Sequence, residues 1–169
     1  MEDFLRESSD QAAKRSTLRT LARIYEVELR APEKAAAQLE RLLAVGGADD
    51  VLHQLADLDD RTGNAEQLAH TYERMLKARA VDDERAVLEK LLALYQDALS
   101  QPEKAFGAVR RLFVLAPTDA LEEELVRLAD ALARSGELAG AYVAAAQPLE
   151  DAAQKRSMNI KAARAYVAS

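Results

Sequence analysis

The apolar positions of this chain recur at helical spacing. Leu18, Leu21, Ala22, Tyr25 and Leu29 fall at i, i+3, i+4, i+7 and i+11, and Leu88, Leu91, Leu92, Tyr95 and Leu99 repeat the series. Such a stripe marks one face of a helix, not the alternation of a strand. The pattern predicts helices over about 9–30, 32–45, 49–61, 65–79, 82–99, 101–115, 119–135, 137–147 and 151–168. Polar punctuation marks the breaks. Ser100 with Glu103 reads as a capping box, and Pro102 stands in the first turn, where its missing N–H costs nothing. Pro32 opens its helix in the same way, Asp119 with Glu122 forms a second box, and Asp82 is an N-cap. Gly63 and Gly136 sit where a helix stops and the chain reverses, a place that favours positive φ. Connections this short set consecutive helices antiparallel, so the expectation is an all-α chain of helical hairpins.

The hairpins repeat. At an offset of 70 residues Arg15, Leu18, Leu21, Tyr25 and Leu29 meet Arg85, Leu88, Leu91, Tyr95 and Leu99. The block Pro32-Glu33-Lys34-Ala35 meets Pro102-Glu103-Lys104-Ala105, and Arg41, Leu42 and Asp49 meet Arg111, Leu112 and Asp119. Beyond that point the offset is read as 73, matching Leu55, Asp57 and Gly63 to Leu128, Asp130 and Gly136. Arg156 and Tyr166 begin a third copy. The chain thus reads as one α-solenoid domain over 1–169, with unit one at about 9–79, unit two at about 80–149 and the start of a third at 150–169. Self-similarity at such a period is the mark of a stacked repeat array.

A hairpin of about 34 residues resembles the tetratricopeptide repeat in a degenerate, bacterial-type form. The residues that carry the resemblance are Leu55-Ala56, Gly63, Leu68, Tyr72 and Met75 in one hairpin, and Leu128-Ala129, Gly136, Ala141 and Ala145 in another. Leu21, Ala22, Tyr25, Ala35, Leu39, Leu42 and Gly47 resemble the same positions in the first hairpin, which carries one extra residue near its turn. Pro117 takes the place of Gly47 in the next unit. The chain departs from the motif in lacking its tryptophan and in placing Asp59 where an aromatic or apolar residue is usual. The resemblance implies a right-handed superhelix of four hairpins and a last helix, with the first helix of each hairpin lining a concave groove. The groove positions it implies are Arg19, Arg23 and Glu26, then His53, Asp57 and Asp60, then Glu89, Gln96 and Asp97, then Glu123, Val126 and Asp130. The family's clamp for a C-terminal carboxylate needs lysines and asparagines here, and these residues are mostly acidic.

Composition agrees with the helical reading. Ala, Leu, Glu and Arg dominate, six glycines and four prolines are few, and aromatics make up 5%. The net charge of −6 opposes binding to phosphate backbones or anionic lipid, so neither nucleic acid nor membrane is expected as a partner. No run approaches the ~20 apolar residues of a spanning helix. The start, MEDFLRESSD, lacks the basic and apolar regions of a secretory signal, and a cytoplasmic location is the expectation. There is no cysteine to form a disulfide.

Candidate chemistry is sparse. His53 and His70 fall on different predicted helices, outside any HExxH arrangement, and read as surface residues. The stretch from Asp57 to Gly63 fails as a calcium loop, with Arg61 at a ligand position and Leu68 where the closing glutamate belongs. Asp82, Asp83 and Glu84 sit at a helix start, where negative charge is stabilised. Dispersed glycines build no phosphate cradle. No catalytic residue, metal or cofactor is therefore expected. Tyr25, Tyr95 and Tyr166 read as seam-filling rings. Arg15, Arg85 and Arg156, in first turns where the helix dipole disfavours a cation, are expected to meet acidic side chains on neighbouring helices.

The functional expectation is a non-enzymatic interaction module or scaffold that binds a protein or peptide, of basic character, along its groove. The alternative is a regulatory or spacer domain of a larger enzyme or signalling protein. Ile160, Ala163, Tyr166 and Val167 give the last helix no polar outer face. A fragment of a longer array, or self-association through uncapped ends, is expected from that face.

Overall fold

The computed structural model describes the backbone of residues 2–46 and 49–167 and the side chains of residues 10–46 and 50–167. Among the described residues all regular structure is helical: α1 (Glu2–Arg23), α2 (Pro32–Ala44), α3 (Asp49–Thr62), α4 (Ala65–Ala78), α5 (Glu84–Ala93), α6 (Pro102–Leu115), α7 (Asp119–Ala131), α8 (Ser135–Ala146) and α9 (Ala152–Val167). The chain divides into two compact units, Met1–Asp82 and Asp83–Ser169. Within each, consecutive helices pack in sequence, α1 on α2, α2 on α3 and α3 on α4 in the first, and α5 through α9 in the second. This is a solenoid-like, all-α architecture.

The extra residue of the first hairpin has a structural identity. α1 and α5 each run on into a five-residue π-helical turn, Ile24–Glu28 and Leu94–Ala98. Each is closed by an i→i−5 bond, Leu29 N–H to Ile24 C=O at 3.0 Å and Leu99 N–H to Leu94 C=O at 2.9 Å. A π-turn is how a helix absorbs one inserted residue without losing its ladder. Arg30 (φ 47°) and Ser100 (φ 50°) then take the left-handed conformation, and Ala31 and Gln101 bond back to Tyr25 and Tyr95. Ser100 therefore ends a helix and caps none. The N-cap of α6 is Gln101, which lends no side-chain bond.

Other boundaries differ by a residue or two. Asp83, not Asp82, caps α5 by accepting from the Ala86 N–H at 3.1 Å. Thr118, not Asp119, caps α7 by accepting from Leu121. Gly63 has the expected positive φ of 69°, but its counterpart is Ala133 (φ 54°), with Gly136 inside α8. The offset thus stays at 70 through the second hairpin: Leu55 and Leu125 are buried alike, as are Leu58 and Leu128, Leu68 and Leu138, and Tyr72 and Tyr142. Gly47 lies outside the described residues.

The Pro-Glu-Lys-Ala block has a packing reason. Proline occupies the first turn of α2 and of α6. Ala35 and Ala105 are fully buried, and the lysine ammonium lies over the tyrosine ring, Lys34 on Tyr25 at 5.9 Å and Lys104 on Tyr95 at 5.3 Å. The cores differ. In the first unit Leu18, Leu39, Leu42, Val51, Leu55 and Leu58 form the cluster, with Tyr25 packed at its edge. In the second, Phe106 and Phe113 are fully buried, and Phe113 meets Tyr142 edge to face at 5.6 Å between centroids.

Candidate interaction surface

The residues expected to line a groove all lie on the first helix of a hairpin. Arg19 and Arg23 are on α1, and His53, Asp57 and Asp60 on α3; Glu89 is on α5, Gln96 and Asp97 on the π-turn that follows it, and Glu123 and Asp130 on α7. All are exposed except Gln96, which is half-buried along with Glu26 and Val126. These faces are built by polar links between first helices. The Arg19 guanidinium forks onto Asp50, Nη1 to Oδ2 at 2.7 Å and Nη2 to Oδ1 at 3.2 Å. That hydrogen bond holds the Asp50 carboxyl below its ordinary range. Arg61 pairs with Glu26. In the second unit Gln96 donates to Glu124, whose carboxylate also grips Arg127 at 2.6 and 2.8 Å.

Ion pairing sorts the expected residues. Glu89 is committed to Arg85 at 2.8 Å and Arg19 to Asp50. Among the described residues, no ion pair involves Arg23, Asp57, Asp60, Asp97, Glu123 or Asp130, so the uncommitted charge on these faces is mostly carboxylate. Gln96 and Asp97 share a depression of about 300 Å³ with Tyr95, Ser100 and Arg127. Glu123 and Val126 share another of about 470 Å³ with Asp119, Glu122 and Arg127. Glu89 and Asp130 line neither.

A second cluster in this unit ties α7, α8 and α9. The Tyr142 hydroxyl donates to Glu122 Oε1 at 2.9 Å, and Lys161 Nζ reaches both Glu122 oxygens at 2.6 and 2.7 Å. Burial first, and then the Glu122 carboxylate, push the Tyr142 phenol well above its ordinary value. Glu122, read as half of a capping box, instead links α7 to α8 and α9 through Tyr142 and Lys161.

The recurrent tyrosines and arginines do not act alike. Tyr95 is buried at 3% exposure, whereas Tyr166 is 54% exposed because α9 buries Ala162 and Ala165 instead. Arg15, well inside α1, donates from Nε to the Val45 carbonyl at 2.8 Å and so closes the end of α2. Arg85 pairs with Glu89 on its own helix. Neither meets a carboxylate on a neighbouring helix. His53 and His70 are exposed on α3 and α4.

The partners of these faces went unseen in the sequence. Asp50, Arg61, Glu124 and Lys161 bind residues between 28 and 39 positions away. Opposite charges about one hairpin apart were the available signal for three of these links, and the neutral Gln96 gave none for Glu124. Among the described residues no group of three or more His, Asp or Glu could hold a metal ion, and no helix is long and apolar enough to cross a membrane. Comparison with protein-family models, with curated proteins and with solved structures gives no match. The described residues form an all-helical fold consistent with an interaction scaffold.

Proposed function

We propose that this chain is a non-enzymatic protein-interaction module, built of tetratricopeptide-like hairpins, whose first-helix faces receive a basic protein or peptide. The right-handed superhelical stacking and the concave groove implied by the resemblance belong to the same proposal. One observation carries it: of the expected groove residues without an ion pair, Asp57, Asp60, Asp97, Glu123 and Asp130 are carboxylates and Arg23 is the one charged exception. Fixed carboxylates on ordered helices attract a cationic segment at little conformational cost, and screening by salt weakens that attraction. The test is affinity capture with the wild type beside a variant carrying Asp97→Lys, Glu123→Lys and Asp130→Lys. Captured partners are expected to be basic, to elute with moderate salt and to be lost from the variant. Acidic partners, or capture indifferent to salt and to charge reversal, would refute the reading.

A further inference from the structure

Asp59 departs from the family pattern, and the first unit shows a consequence. It is buried at 7% exposure, and its Oδ2 accepts from the equally buried Thr71 hydroxyl at 2.9 Å. Among the described residues no donor reaches Oδ1, and this oxygen is open to solvent. Asp59 lines a partly open cavity of about 190 Å³ between α2, α3 and α4. Ala36, Leu55 and Leu58 form apolar wall, with Glu33 and Asn64 also lining it.

The second unit shows what this space holds when it is filled. Seventy positions on, Phe106 replaces Ala36, Arg134 replaces Asn64 and Ala129 replaces Asp59. Phe106 is fully buried, and the Arg134 guanidinium lies over its ring at 5.6 Å. An apolar body under a cation thus occupies in the second unit what the first leaves open. Arg74 supplies no direct bond to Asp59, because it is held by Glu40 at 2.6 Å.

We propose that this cavity is a binding site for a primary ammonium group on a short aliphatic stem, with Asp59 Oδ1 accepting from the ammonium and Ala36, Leu55 and Leu58 enclosing the stem. A charge-assisted hydrogen bond completes the one carboxylate oxygen that lacks a partner. The Asp59 side chain is largely withdrawn from water, so an ion pair made there is screened less than one on an open surface. The site is separate from the first-helix faces and does not depend on the function proposed for them.

The test follows backbone amide shifts by heteronuclear NMR during titration with n-butylammonium chloride, with n-butanol as the uncharged control. Saturable shifts are expected around Asp59, Thr62, Asn64 and Gln67, with a millimolar dissociation constant suited to so small a ligand. Asp59→Asn keeps the shape and should weaken binding at least about tenfold. Ala36→Phe, which imitates the second unit, should abolish it; Ala36→Leu replaces that variant if its spectrum is not dispersed. A parallel titration with N-acetyl-lysine methylamide separates the sources: saturation by it marks a protein side chain as the natural ligand, and saturation by n-butylammonium alone marks a free amine. Shifts that stay linear in both titrations, that n-butanol reproduces, or that persist in Asp59→Asn would overturn the site.

Discussion

Asp59 and Thr71 are polar residues in a position the second unit fills with Ala129 and Ala141. Burial pushes the Asp59 carboxyl up, as does Glu40 on α2; the Thr71 hydrogen bond pulls it down, with smaller help from Arg74 and His70 on α4. The folded state therefore holds this proton to higher pH than the unfolded chain does. Stability falls as pH rises through the window between the ordinary carboxyl value and the raised one, and the penalty is complete above it. Asp59→Asn, which can still accept from Thr71, should melt a few degrees higher than the wild type at neutral pH. The gap should shrink on acidification through the carboxyl range, as thermal melts at a series of pH values will record. Ala133 offers a second test at this scale. It takes φ 54° with an ordinary side chain, where the first unit has Gly63. Left-handed backbone costs an L-residue about 1 kcal/mol, so Ala133→Gly should stabilise by about that amount in urea titration.

At the level of helices, periodicity was a sound guide, because helical spacing reports burial directly. Each expected helix is present, shifted by a few residues at its ends except α1, which begins at Glu2 rather than near residue 9. What periodicity could not show was the form taken by the extra residue, since Ile24–Glu28 and Leu94–Ala98 have ordinary helix-forming residues and only the backbone bonds reveal a π-turn. The offset of 73 arose from matching letters: Leu55-Ala56 resembles Leu128-Ala129, while burial pairs Leu55 with Leu125. The first-helix faces were legible in part. Their acidic members were visible, but the cross-hairpin partners that neutralise Arg19 and Glu26 depend on packing. α9 illustrates the same point, since besides packing on α8 it is tied to α7 by the Lys161–Glu122 pair. Lys161→Met keeps the stem and removes the ammonium. It should speed hydrogen exchange of α9 amides about fivefold, the effect of losing about 1 kcal/mol from a partly exposed pair. Exchange in α6 should stay unchanged.

Taken as a molecule, the chain uses one 70-residue frame twice with different interiors. The second unit buries Phe106, Phe113 and Tyr142, whose large rings and edge-to-face contact add stability beyond that of aliphatic packing. The first has Ala36 in place of a ring, and a carboxylate with one oxygen unbonded. Each unit has a core of its own, and such cores can unfold separately. Heating in a differential scanning calorimeter should thus give two heat-absorption peaks in place of one, the lower belonging to residues 2–82. Amide-resolved melting would assign them. Lysine over tyrosine, common to both units, has a consequence of another kind. Acetylation of Lys34 or Lys104 would cancel the charge that the ring attracts. The same modification would reach both halves of the chain at matching places, loosening each where its π-turn hands over to the next helix.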